Sequence, residues 1–170
     1  HQQSGWKTMT TVPRLEFDNE ALDADLNDQI GSMNLIEKQV IPRLLGQSTW
    51  LNASNIKYRK ITKNDNIKQT IHKLEKCDLK QEIQCIYSYG NHLQKMLSVI
   101  EIYKKVLEAK SIKCQQYNRI TCFTSVQEGR NLLLEKKIRV PIMVVFIVDG
   151  EHSDSPKDLL EQGGFTRQPF

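Results

Sequence analysis

Paired cysteines are missing from this sequence. The four that it has, Cys77, Cys85, Cys114 and Cys122, form no CxxC pair, and no histidine stands at zinc-ligand spacing from them. That excludes a zinc finger or ribbon and reads as free, mostly buried thiols, a usage that suits the cytosol or nucleus. Long apolar runs are missing too. The longest, Val140 to Val148, includes Pro141 and is far short of the roughly 20 residues that a membrane helix needs. The opening HQQSGWKTMTTVPR has no apolar core and so does not read as a secretory signal. No GxxxxGK[ST] and no GxGxxG occurs, which leaves a nucleotide pocket unsupported. His72 and His92 have no Asp, Cys or Ser at a spacing that suggests a triad or a metal site, so no catalytic residue, metal or cofactor is expected.

What is present is positive charge in one place. The chain has 170 residues, enough to bury a core in a single domain, and a formal net charge of +4. Residues 57–139 hold 18 Lys and Arg against 8 Asp and Glu, a net +10, while the segments on either side are each at −3. Such a concentration implies an anionic partner, most often a phosphate backbone, because each neutralised phosphate releases counterions. The alternative is a solvated lysine surface.

The most ordered stretch runs from Ile83 to Glu108. Ile83 to Tyr89 is β-branched, aromatic and uncharged, which predicts a short buried strand, and Gly90 breaks it. From Leu93 on, apolar residues at Leu93, Met96, Leu97, Ile100, Tyr103 and Leu107 have helical spacing, and Val99, Ile102 and Val106 form a second set beside them. The two sets cover an arc of roughly 220°, wider than one contact stripe. The helix therefore needs two neighbours, its own sheet and either a second protein chain or another helix of this one.

Around this unit the pattern predicts further elements. His1 to Asn27 has no period and reads as a flexible arm; Asp149 onward reads as a polar tail. Ser32 can cap a helix with Met33, Ile36, Val40, Ile41 and Leu44 on its apolar face, and Pro42 predicts a kink or an early stop near Ile41. Ile56 to Ile61 alternates as a strand. Asn64 or Asp65 can cap a helix with Ile67, Ile71 and Leu74 inward. Cys114 to Val126 and Ile138 to Val148 read as strands joined by a turn near Gly129, with Pro141 marking an edge or a bulge. The order β-α-β-α-β-β gives an α/β fold, one mixed sheet with both crossover helices on the same face. The expected division is an arm over 1–27, a domain with an extra N-terminal helix over 28–149 and a tail over 150–170.

The candidate site is a basic surface. Lys63 follows the first strand, Lys95 lies in the first turn of the long helix, and Arg130, Lys136, Lys137 and Arg139 flank the last hairpin. Lysines give unselective phosphate contact, and arginines can add bidentate pairs. Tyr89 and Tyr117 either stack on bases or pack within the fold. The turn at Tyr89-Gly90-Asn91 is either a phosphate-cradling junction or just a turn.

The frame in which Gly90 is followed by Leu93, Lys95, Glu101 and Ile102 resembles the Alba superfamily of small nucleic-acid-binding proteins. ITKNDNIK (Ile61 to Lys68), CIYSYGNHLQKMLSVIEIYKK (Cys85 to Lys105), EGRN (Glu128 to Asn131), VPI (Val140 to Ile142) and the VIP at Val40 to Pro42 resemble more closely the Pop-six family, Alba-type subunits of yeast ribonuclease P and ribonuclease MRP. The likeness spans Ile30 to Asp149. It implies an Alba-like two-layer fold with a mixed four-stranded sheet. It also implies a heterodimer with a second Alba-type subunit, Pop-seven, through Val99, Ile102, Tyr103 and Val106. Such a pair would bind a P3-like RNA element beside larger subunits such as Pop-one, in the nucleus and nucleolus, and serve tRNA and rRNA processing. Relatives are also associated with telomerase RNA. Catalysis would lie elsewhere in the particle. Contact positions carry over to Lys63, Gly90, Lys95 and Arg130; Tyr89 and Asn91 stand where the archaeal pattern is basic, which favours stacking or a backbone amide there. A general homodimeric DNA- or RNA-coating protein is the second reading and a small enzyme the third.

Overall fold

The computed structural model describes residues 14–46, 55–127, 134–151 and 156–169. Among these, seven strands form a single mixed sheet. The chain opens with strands β1 (Arg14–Phe17) and β2 (Glu20–Leu22), then helix α1 (Gln29–Leu35), a π-helical turn (Ile36–Val40) and helix α2 (Ile41–Leu44). Strand β3 (Ile56–Lys60), helix α3 (Ile67–Leu74), strand β4 (Ile83–Tyr89) and helix α4 (Leu93–Ala109) follow. The long strands β5 (Cys114–Gln127) and β6 (Lys136–Asp149), a short helix α5 (Lys157–Gln162) and strand β7 (Thr166–Gln168) complete it. From β3 to β6 the order is the predicted β-α-β-α-β-β.

The sheet runs β2-β1-β5-β6-β4-β3, and β7 pairs with β5. β3 and β4 are parallel, as a crossover helix between them requires, and every other pairing is antiparallel. Strands of period two send alternate side chains to opposite faces. From β4 and β6, Cys85, Tyr87, Tyr89, Ile142, Val144 and Phe146 enter one core with Met33, Ile36, Val40 and Ile41 of the N-terminal helical segment. Ile86, Val145 and Ile147 enter the other with Ile71, Leu74, Met96, Ile100 and Tyr103 of α3 and α4. Helices therefore cover both faces of the sheet, where two layers were expected. The second hydrophobic face of β4 and β6 explains why: a strand apolar on both parities needs cover on both sides.

Two segments read as irregular are built into the sheet. Leu15 and Phe17 are buried, and Asp18 and Asn19 turn the chain with φ of 54° and 65°, so residues 14–22 form a hairpin, not part of a flexible arm. In the region read as a tail, Leu160 and Phe165 are buried and Phe165 meets Phe146 edge to face at 5.3 Å.

Capping differs in detail. Asp28, not Ser32, caps α1, accepting from the Gly31 amide at 3.0 Å; Ser32 is buried and donates to the Asp25 carbonyl. Asn66 caps α3, while Asp65 accepts from the Thr62 amide and hydroxyl to close the loop before it. The irregularity expected at Pro42 takes the form of the π-helical turn just before it, where Ile41 donates to the carbonyl of Ile36. Pro141 sits in an interior strand, but the β4 ladder ends at the pair Tyr89–Ile142, one residue short of it. Its missing donor thus falls where β6 has a neighbour on one side only.

Candidate nucleic-acid interface

The C-terminal ends of β3 and β4 bring the first two predicted contact positions together. Ile61 donates to the Tyr87 carbonyl at 3.1 Å, and Ser88 Oγ donates to the Ile61 carbonyl at 2.6 Å, so the loop after β3 is stitched to the end of β4. In that loop the Lys63 amide donates to His92 Nδ1 at 2.9 Å, and its side chain is exposed. Lys95 Nζ reaches back from the first turn of α4 to donate to the Asp65 carbonyl at 2.9 Å. Gly90, at φ +57°, makes the sharp entry into α4 through a 3-10 turn at Gly90–His92. Lys63, Gly90 and Lys95 therefore share one corner of the sheet.

His92 is not a free acid-base group. Nδ1 accepts from Lys63, and burial, followed by the charge of Lys63, lowers its pKa below the usual 6.5. His72 is exposed on α3. Among the described residues no group of three or more His, Cys, Asp and Glu is placed to hold a metal, and no helix is long and apolar enough to cross a membrane.

The hairpin of β5 and β6 runs past the end of β4 at the same end of the sheet. Lys136, Lys137 and Arg139 lie exposed on that overhang, opposite Gln127, Val126 and Thr124. Arg130, in the EGRN motif, lies outside the described residues. At one strand spacing per step, the three steps from β3 to β5 make this end about 14 Å across.

The tyrosines take the packing alternative. Tyr89 is 5% exposed, lies against His92 and Phe123, and donates its hydroxyl to the Leu26 carbonyl at 3.3 Å; it has no face open to a base. Tyr117 is wholly buried. Their parity decides this, since odd residues of β4 and β5 point into the core under the N-terminal helix.

Of the residues expected to face a partner, Val99 and Tyr103 are wholly buried against the sheet, Val106 is half-buried, and Ile102 is exposed. Leu97 and Ile120, which the sequence reading left out of the interface, are more exposed still, at 48% and 68%. Ile120 pairs with Met143, whose side chain packs on the helix-side core, so it stands on the same side of the sheet as α4. Exposed apolar side chains thus stand on the same side of the sheet on both α4 and β5. Period alone could not separate Leu97 from Met96, because both fall within the wide arc.

No protein-family model matches the chain. It is 38% identical over 153 residues to the ribonucleases P/MRP protein subunit POP6 of Saccharomyces cerevisiae, covering 86% of this chain and 92% of the yeast protein. At that identity over nearly the full length of both, the chain belongs to the family of the ribonuclease P/MRP subunit POP6.

Proposed function

We propose that this chain is a non-catalytic, RNA-binding subunit of a ribonuclease P/MRP-type ribonucleoprotein and half of an Alba-type heterodimer. The observation that carries the reading is the near full-length likeness to a subunit named for those particles. The fold supplies two supporting surfaces. Lys63 and Lys95 flank Gly90 at one end of the sheet, with Lys136, Lys137 and Arg139 on the overhang beyond, a row suited to phosphate contact. Leu97, Ile102 and Ile120 leave apolar area on the helix side for a second Alba-type subunit of the Pop-seven kind.

In this reading the pair grips a P3-like element of the particle's RNA and holds it in shape beside larger subunits such as Pop-one. Its place is the nucleus and nucleolus, its process tRNA and rRNA maturation, and a telomerase RNA with a similar element is a further target. Sequencing the RNA that copurifies with the protein from its native cell tests this directly. Affinity of the purified pair for that RNA falls steeply with salt, and Lys63→Glu with Arg130→Glu weakens it further. A flat salt response sinks the reading, and equal affinity for plain double-stranded DNA favours a coating role.

A further inference from the structure

The outer edge of β5 is covered in two places. β1 pairs with Thr124, Ser125 and Val126, and β7 pairs with Gln116, Tyr117 and Asn118. Between them, residues 119–123 have no outer strand among the described residues. A cavity of about 370 Å³ opens in that gap. Its lining includes Arg43 from α2, Arg119 from β5 and Arg139 from β6, with Thr121 and Thr124 as further donors, against the carboxylate of Asp18. The three arginines come from three separate elements, with Arg119 on the face of β5 that the N-terminal helical segment covers and Arg139, opposite Thr124, on the other face, so they meet only around the open edge of β5. Three arginines against two acids along one open edge leave a net positive charge that favours an anionic ligand.

Each arginine is differently held. Arg119 Nη1 donates to the Gly163 carbonyl, and Arg43 Nη2 is drawn to Glu20 Oε2. Arg139 has no ion-pair partner among the described residues and is exposed. The shape selects among anionic ligands. The β1–β2 turn at Asp18 and Asn19 closes one end of the gap, and the chain leading into β7 closes the other. A peptide strand added to the open edge would run into both, which leaves the gap to a compact anionic group.

We infer that this notch is an anchor for a backbone phosphate of RNA, formed by Arg43, Arg119 and Arg139. The inference rests on the RNA-binding reading above and extends the row that ends in Arg139 by two residues outside it, Arg43 and Arg119. Position supports it. Thr121 pairs with Ile142, and Ile142 pairs with Tyr89, so the notch is level with Gly90 and stands about 14 Å from the β3 corner. A short run of one RNA strand spans the two.

The test uses the full chain in its purified assembly and a stem–internal-loop–stem RNA, with affinity measured across a salt series. Arg119→Gln, at a residue outside both the β3 corner and the overhang row, lowers affinity and reduces the slope of log affinity against log salt by about one. Glu20→Gln removes the carboxylate that competes for Arg43 and raises affinity; if the residue acted only by holding the β1–β2 hairpin, the same change would lower it. Lys63→Gln serves as the reference for the β3 corner. A loss with Lys63→Gln but none with Arg119→Gln, or a loss with Glu20→Gln, overturns the notch and leaves RNA binding standing. No salt-dependent binding by the unaltered protein overturns both. An effect of Arg119→Gln and Glu20→Gln on protein assembly alone, with RNA affinity unmoved, also overturns the notch.

Discussion

The amide of Lys63 donates to Nδ1 of His92 at 2.9 Å, across 29 positions of sequence, and so fixes the loop after β3 to the first turn leading into α4. An imidazole that accepts at Nδ1 must carry its proton on Nε2 and be neutral. Burial and the Lys63 charge both favour that form and lower the His92 pKa, against a weaker opposing pull from Asp65.

The consequence is a pH dependence of known sign. A histidine whose folded pKa lies below its unfolded value of 6.5 contributes stability above pH 6.5, and the contribution is lost as pH falls through the folded value. Thermal melts from about pH 7 down to about pH 5 therefore show a falling midpoint, and His92→Asn, which offers an acceptor that does not titrate, flattens that part of the curve. An unchanged slope in the variant removes His92 as the cause.

Gly90→Ala tests the turn. A side chain at φ +57° carries a left-handed penalty of about 1–2 kcal/mol, and the added Cβ meets Val140 Cγ1 at 3.3 Å. Denaturant unfolding registers a loss of that order, and Gly90→Asn loses less because asparagine tolerates the conformation. Equal stability of alanine and glycine at this position contradicts the account.

The two faces of α4 separate by substitution. Tyr103→Ala opens the buried core and costs about 3–5 kcal/mol of stability. Ile102→Asp, on exposed surface, leaves the melting curve nearly intact and removes association with the second subunit, as read by size-exclusion chromatography with light scattering. Normal assembly by Ile102→Asp and by Ile120→Asp would place the partner elsewhere.

The thiols differ in reactivity. Cys85 is wholly buried and its pKa is raised well above 9.0, chiefly by desolvation; burial also pushes Cys77 up to about 12 and Cys114 up to about 11. At about pH 8 iodoacetamide labels Cys85 only after unfolding, which peptide mass spectrometry follows site by site. Rapid labelling of Cys85 in the folded protein counts against this packing.

Much of the central unit was legible because its patterns are long. β4 falls on the predicted Ile83 to Tyr89, and α4 starts at the predicted Leu93. The hairpin of residues 14–22 was not, since its strands are four and three residues long and each carries charge. The two-residue turn at Asp18 and Asn19 between Phe17 and Glu20 was the available signal. The last sheet strand was hidden likewise. Only isolated Leu159, Leu160 and Phe165 hinted that chain there returns to the core.

The site was legible by type and less so by place. Lys63, Lys95, Lys136, Lys137 and Arg139 fall at one end of the sheet because loops and strand ends collect there in any β-α-β-α-β-β arrangement. Arg43 and Arg119 could not be joined to them in advance. One lies on a helix that packs on the far face and the other on a strand edge, and nothing in the sequence says which edge two short outer strands leave bare. Tyr89 stayed open between stacking and packing for a related reason. Alternation tells which residues share a side, but an unpredicted covering layer decides which side stays wet.

Because β4 feeds two unrelated interiors at once, its length is fixed to the residue. Loss of a single amino acid there would exchange the places of Cys85 and Tyr87 with those of Gln84, Ile86 and Ser88, stranding an amide and a hydroxyl among aromatic rings. An insertion or deletion in β4 therefore misplaces one set of side chains or the other, and the strand itself works as a ruler against which both halves of the molecule are aligned.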